Sequence, residues 1–191
     1  MNQTLSPLMA ALIVRWFNMA SLLGVSLVLL IAFFYQFVMG ELPCPLCLLQ
    51  RVAFIMVGIG FLMNVRFGST FMHYGLIVVS ALAGTLSSGR QVLLHIVPGT
   101  DPYGSALFGL HFYTWSFISF MTILLAVGLI FMVENRVGDA RSATAGGRLG
   151  LWAGALLLAI VFVNMASTFL ECGLGACADN PTVYQLLGWL S

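Results

Sequence analysis

Five stretches of this chain run for roughly 20 residues or more with almost no charge, which is the length a helix needs to cross a bilayer. They extend from Trp16 to Met39, Leu48 to Val65, Phe71 to Val97, Ala106 to Val133 and Leu149 to Leu170. They are apolar on every face and show no strand alternation, so the helical reading holds for all five. An open sheet edge could not satisfy its backbone groups in lipid in any case. The expected fold is an all-α polytopic membrane helix bundle of about five transmembrane helices with a four-helix core. It forms a single integral membrane domain over residues 1–191, divided into an N-terminus (1–15), five spans (16–170) and a tail (171–191).

Composition closes off the soluble alternative. Only 7% of the residues are charged and 61% are hydrophobic, with a mean hydropathy of +1.05. A soluble domain carries about 25% charged residues. The net charge of +1 includes no basic patch that a phosphate backbone could use, so nucleic-acid binding is set aside. The first span is read as a retained helix: its apolar run exceeds the roughly 7–15 residues of a signal-peptide core, and no small-residue cleavage site follows it.

The chain has no lysine, so orientation rests on arginine. Arg15, Arg66, Arg136, Arg141 and Arg148 flank spans on one side, which marks that side as cytoplasmic. Arg51 and Arg90 lie within or beside helices toward the other side, as do the acids Glu41, Asp101, Glu171 and Asp179. Arg66–Thr70 and Glu134–Arg148 become inner loops. Pro98–Ser105 becomes a turn-rich outer loop. The sequence NPTVYQLLGWL, with Tyr184 and Trp189 among leucines, suits a helix lying in the interface. Cysteines occur as two close pairs, Cys44/Cys47 after one span and Cys172/Cys177 after five. Both counts are odd, so both pairs face the same non-cytoplasmic compartment, where disulfides are permitted.

The stretch ELPCPLCLLQR, residues 41–51, carries the chemistry. A C-x-x-C pair can be a redox couple, half a zinc site, a haem attachment or a static disulfide. Haem attachment needs a histidine after the second cysteine, where Leu48 stands. A four-cysteine zinc site requires the two pairs to converge, and CGLGAC is looser than a zinc knuckle. No metal is assigned. A static staple across so short a loop stabilises little. Redox use explains more. Arg51 follows Cys47 by four residues, one helical turn, and a fixed cation there favours the reactive thiolate. Pro43 and Pro45 leave a helix start near Cys47, which adds positive potential. A snorkelling interfacial arginine is the bland alternative for Arg51. Arg90 is a functional candidate as an ionisable residue in a span. His95, in SSGRQVLLHIVPG, and His111, in GLHFYTW, lie at outer helix ends. They could hydrogen-bond a quinone, ligate a haem b, or sit in the wet interface beside Tyr113 and Trp115. His73, at an inner end, is given no role.

CPLCLLQR after the first span, GRQVLLH in the third and LHFYTW opening the fourth resemble the disulfide bond formation protein B family of bacterial inner membranes, over about Trp16 to Val133. The resemblance implies a membrane protein-thiol oxidase that reoxidises a periplasmic thioredoxin-fold dithiol partner and passes the electrons to ubiquinone or menaquinone. It implies that Cys47 contacts the quinone, that Arg51 supports it, and that Cys44 is the disulfide partner of Cys47. The order of electron flow expected on this reading is from the partner dithiol to Cys172–Cys177, then to Cys44–Cys47, then to quinone, and Arg90, His95 and His111 are further quinone candidates by their position at the outer helix ends. The localisation implied is a multi-pass inner-membrane protein with a cytoplasmic N-terminus and periplasmic cysteines. The chain departs from the best-known members, which have four spans and a second cysteine pair in the outer loop between the third and fourth. Here Pro98–Ser105 has no cysteine and the pair follows a fifth span. A haem b or quinone electron-carrier subunit using His95 and His111, with structural disulfides, is the rival class.

Overall fold

The computed structural model of the chain describes residues 6–97, 99–100, 103–134 and 147–188. Five long helices dominate it: α1 (Pro7–Phe37), α2 (Pro45–Phe67), α3 (Phe71–His95), α4 (Phe112–Glu134) and α5 (Arg148–Cys172). Each is long and apolar enough to span a bilayer. A short hairpin, β1 (Ala106–Leu107) with β2 (Leu110–His111), leads into α4, and a four-residue helix, α6 (Gln185–Gly188), ends the described chain.

The boundaries differ from expectation at three places, each for a readable reason. α1 begins at Pro7, nine residues before the expected start. Ser6 caps it, its hydroxyl accepting from the Met9 amide at 3.3 Å, and proline suits the first helical position, where no amide bond is lost. Arg15 therefore lies inside the helix. α4 begins at Phe112 and not at Ala106, because 106–111 turn back through Phe108 and Gly109, both at positive φ. α5 runs through Glu171 and Cys172, so Glu171, expected in an outer loop, is a buried residue of the last helical turn. Arg136, Arg141, Asp101 and Trp189 lie outside the described residues, as does most of the inner loop expected from Glu134 to Arg148.

α1, α2, α3 and α4 close a ring, each packing on the next, and α4 returns to α1. This is the expected four-helix core. α5 docks outside it, in the groove between α1 and α2. Close approach is made by small residues, as usual where lipid offers no hydrophobic drive between helices. A Cβ on Gly60 would stand 2.4 Å from Ile77 of α3, and one on Gly84 would stand 2.3 Å from the Phe120 ring of α4. Phe120 lies flat on Phe54 of α2, with centroids 4.0 Å apart, so the four helices interlock at this level.

Polar groups cluster at the two ends. At one end, Asn18 donates to the Tyr74 hydroxyl at 2.8 Å and accepts from Asn64 at 2.8 Å, while His73 pairs with Asn64 at 3.0 Å. That network ties α1, α2 and α3. The other end carries both cysteine pairs, because the start of α2 and the end of α5 fall on the same side of the bundle.

Candidate functional site

The first cysteine pair is built by a proline-bounded helix start. Cys44 is the N-cap of α2, its sulfur accepting from the Cys47 amide at 3.1 Å, and Pro45 occupies the first helical position. The two residues form a disulfide, as do Cys172 and Cys177. Cys44 is buried and Cys47 only partly so. Of the two sulfurs, it is that of Cys47 that meets a cavity.

This cavity has a volume of about 230 Å³ and opens between α1, α2 and α4. Its floor carries Cys47, Gln50, Arg51 and Gln91, and its walls are the rings of Tyr35, Phe112, Tyr113 and Trp115. A second, almost wholly apolar hollow of about 400 Å³ adjoins it along α1 and α4. The two share Val28, Phe54, Trp115 and Ser119, so a polar-floored chamber continues into an apolar groove.

Arg51 is 7% exposed. One guanidinium nitrogen donates to Gln36 Oε1 at 2.5 Å and another to the Ala32 carbonyl at 3.2 Å, both on α1. The guanidinium also sits 5.2 Å from the centre of the Phe33 ring. The fork is thus fixed by α1 and does not reach out to the membrane surface, which removes the snorkelling alternative for this residue. Gln36 in turn donates to the Tyr184 hydroxyl at 3.3 Å, which joins the segment after the second disulfide to the Arg51 site.

Sequence reasoning missed the amides. Gln91 points its Nε2 at Cys44 Sγ (3.4 Å) and Cys47 Sγ (3.7 Å), while its Oε1 accepts from Gln50 at 2.8 Å. Gln91 lay within the expected GRQVLLH element and Gln50 within CPLCLLQR, but glutamines 41 residues apart give no sign of pairing until the helices pack. Glu171 was also missed as a site residue. It is 2% exposed, neither of its carboxylate oxygens has a hydrogen-bond partner among the described residues, and Arg51 is its charged neighbour.

The outer loop folds over the cavity. Tyr103 donates to the Leu42 carbonyl at 2.7 Å, and Glu41 accepts from the Ser105 amide at 3.1 Å and from the Ser105 hydroxyl. Burial raises the pKa of the Tyr103 phenol, and the nearby carboxylates of Glu171 and Glu41 raise it further. The phenol therefore stays a hydrogen-bond donor at neutral pH.

The remaining candidates stand apart from the cavity lining. Arg90 is exposed and makes no hydrogen bond or ion pair among the described residues. His95 and His111 each use Nδ1 on a backbone carbonyl, Gln91 at 2.8 Å and Gly104 at 3.2 Å. Both rings stack on Tyr113, with centroids 5.1 and 5.5 Å away. Tyr113 lines the cavity and the two histidines buttress it from behind. Among the described residues no group of three or more histidines, cysteines and acids is gathered as a metal site.

Residues 14–103 match the family model "Disulfide bond formation protein DsbB". That segment covers most of α1, all of α2 and α3, and the first part of the outer loop; α4, α5 and Cys172/Cys177 lie beyond it. The chain is 37% identical to Disulfide bond formation protein B of Nitrosomonas eutropha over 93 residues, which is 44% of this chain and 57% of that protein. It is 42% identical to Disulfide bond formation protein B 1 of Pseudomonas fluorescens over 86 residues, 42% of this chain and 50% of that protein. It is 39% identical to the Disulfide bond formation protein B of Xylella fastidiosa strain Temecula1 over 72 residues. The chain thus spans about half the length of the curated relatives it matches. No solved structure matches it.

Proposed function

We propose, for a chain whose residues 14–103 belong to the disulfide bond formation protein B family, that it is a membrane protein-thiol oxidase that draws electrons from a periplasmic thioredoxin-fold dithiol protein and passes them to ubiquinone or menaquinone. The observation that carries this reading is the Cys47 sulfur at the floor of a ring-lined chamber, one helical turn from a buried and immobilised arginine.

The residues present fit a quinone. Aromatic walls suit a flat ring, the Arg51 cation and the Gln50 and Gln91 amides suit its polar edges, and the adjoining apolar groove suits an isoprenoid tail. A bound quinone supplies a two-electron, two-proton acceptor. Cys44 and Cys47, once reduced, supply the electrons. Arg51 favours Cys47 as thiolate, the form that reacts, and it is already held by Gln36 and Ala32, so no reorganisation is needed when negative charge develops. Gln91 holds both sulfurs against α3. Tyr103 and Leu107 of the hairpin close part of the chamber's outer side.

Cys172–Cys177 is the disulfide that meets the partner. It ties the last residue of α5 to Cys177 across a short loop whose Leu174 is 96% exposed, while Glu171 and Tyr184 on either side of the loop reach the Arg51 site. Electrons then pass by disulfide exchange to Cys44–Cys47. On this reading residues 1–191 form a single membrane domain with both cysteine pairs in the periplasm. Arg90, exposed at the end of α3, serves at most the entrance, and His95 and His111 act through Tyr113.

The test is dithiol oxidation by the purified protein in detergent. A reduced thioredoxin-fold oxidase should be oxidised only when a quinone is supplied, and Cys47→Ser should abolish it. Equal oxidation with and without quinone would overturn the assignment. A Soret band in the purified protein would favour the haem-carrier class instead.

A further inference from the structure

α5 carries a polar side that lipid does not require. Asn164, Ser167, Thr168 and Glu171 recur at three- and four-residue steps, so they share one face. Asn164, Ser167 and Glu171 are buried against α1 and α2. A buried ionisable group in the last turn of a span is costly and is a functional candidate by default. Among the described residues Glu171 has no hydrogen-bond donor on either oxygen. The charged and titratable groups that face it are few. α2 brings Arg51. The outer loop brings Tyr103, itself beside Glu41, and the segment before α6 brings Tyr184, next to Arg51. α1 brings the neutral Gln36 and the Tyr35 phenol to this end, and α6 has no charged residue. The hydrogen bonds of Arg51 go to α1 and not to Glu171, so the two charges act on each other across a gap.

Glu171 therefore shares one buried cation with whatever anion forms at Cys47, one turn before Arg51. Two negative charges against one positive charge in a low-dielectric interior are costly, and the cost is removed when one of them takes a proton. We infer that Glu171 takes up the proton left over when the Cys44–Cys47 disulfide is reduced, and returns it when the pair is reoxidised. This inference rests on the thiol-oxidation reading above.

The step balances. An incoming dithiol transfers two electrons and becomes a disulfide, and its two protons are left to be placed. Cys44 keeps one as its thiol, Cys47 remains a thiolate beside Arg51, and the Glu171 carboxylate takes the other. On reoxidation the sulfur pair gives two electrons to the quinone, while the Cys44 thiol and the Glu171 carboxyl give one proton each. Cys44–Cys47 is again a disulfide and Glu171 again a carboxylate. α5 lies outside residues 14–103, so this proton-holding group belongs to the part of the chain that carries the second disulfide.

Infrared difference spectroscopy tests the inference without turnover. The quinone-free protein is reduced with dithiothreitol in detergent, and reduced-minus-oxidised spectra are recorded. The expected result is a new carbonyl band of a protonated carboxylic acid in the wild-type protein and also in a variant with Cys172 and Cys177 both serine, where Cys44–Cys47 is the one disulfide left to reduce; the band is absent in Glu171→Gln and retained in Glu171→Asp. Glu171→Gln should also slow single-turnover reduction of a short-chain benzoquinone by less than about a hundredfold, since a proton donor in direct reach contributes at least that much and Glu171 does not line the chamber. That loss should grow with pH as protons from solvent become scarcer, whereas a merely structural defect would lower the rate evenly. If the wild-type protein reduces the benzoquinone normally but shows no carboxylic-acid band, the inference fails and the thiol-oxidase reading stands. If the reduced wild-type protein leaves the benzoquinone unreduced, both fail.

Discussion

Replacing Arg51 by methionine tests whether the buried cation is held as part of a network spanning three helices. The substitution keeps an unbranched apolar stem and removes the guanidinium. Two hydrogen bonds to α1 are lost, to Gln36 Oε1 and to the Ala32 carbonyl. Interhelical hydrogen bonds in membrane proteins average about 0.6 kcal/mol and reach about 1.7, so this pair contributes roughly 1–3 kcal/mol. The contact with the Phe33 ring adds about 0.5–2 kcal/mol. Relief of the guanidinium's own desolvation offsets part of that sum, leaving a net loss of roughly 1–3 kcal/mol. A further consequence is specific to this protein. Without Arg51 the Glu171 carboxylate has, among the described residues, no compensating charge and no hydrogen bond. Glu171→Gln should therefore be less harmful, or stabilising, in the Arg51→Met background. The assay is a double-mutant cycle of thermal unfolding in detergent micelles, using Arg51→Met, Glu171→Gln and the pair. A coupling of about 1 kcal/mol, with the double variant more stable than the sum of the singles, is expected, toward the low end of the roughly 0.5–3 kcal/mol seen for residues in one charged network because the two charges are not in contact. Strict additivity, or an Arg51→Met protein as stable as the wild type, would refute the reasoning.

Arg51→Ala should raise the apparent quinone KM and lower turnover, with a combined loss of about 1.5–3 kcal/mol, as expected for one charged hydrogen-bonding group. Arg51→Lys should recover only part of it, because a lysine is a point charge and not a planar fork; steady-state kinetics with a soluble quinone checks both. Gly84→Ala should destabilise the bundle by about 1–3 kcal/mol through overpacking against the Phe120 ring, whereas Gly75→Ala, with open space at its Cβ, should be neutral or mildly stabilising. Their unfolding midpoints in detergent settle the comparison. A membrane-impermeant maleimide, applied to spheroplasts after reduction, should label all four cysteines. Labelling of Cys44 and Cys47 without Cys172 and Cys177 would mean that α5 ends on the other side.

Much of the fold was legible because a span announces itself by length and apolarity alone. The five helices, their order and the meeting of both cysteine pairs at one end all follow from counting crossings. Cys44, Cys47 and Arg51 were legible because they lie within eight residues, where spacing along one helix is enough. What was hidden depends on packing between helices. Gln36, Gln50 and Gln91 are ordinary amides in sequence and become site residues only when α1, α2 and α3 converge. Glu171 read as an outer-loop acid because the apolar run stops at Leu170, yet the helix continues two residues further and turns the carboxylate inward. The start of α1 could have been found from Ser6-Pro7, a cap followed by a first-turn proline, had Arg15 not been taken as the membrane boundary. The hairpin before α4 was masked by its own apolar residues, since Ala106, Leu107 and Leu110 extend the hydrophobic run without extending the helix.

The most direct test counts electrons. The protein, reduced at all four cysteines and freed of reductant under anaerobic conditions, is mixed with excess benzoquinone, and the quinol formed per chain is measured. If both disulfides drain into one chamber, they should yield two quinols per chain in the wild type. They should yield one when Cys172 and Cys177 are both serine, and none in Cys47→Ser even though Cys172 and Cys177 remain. One quinol per chain from the wild type would separate the second disulfide from the relay, and quinol formation in Cys47→Ser equal to the wild type would contradict the account at its centre.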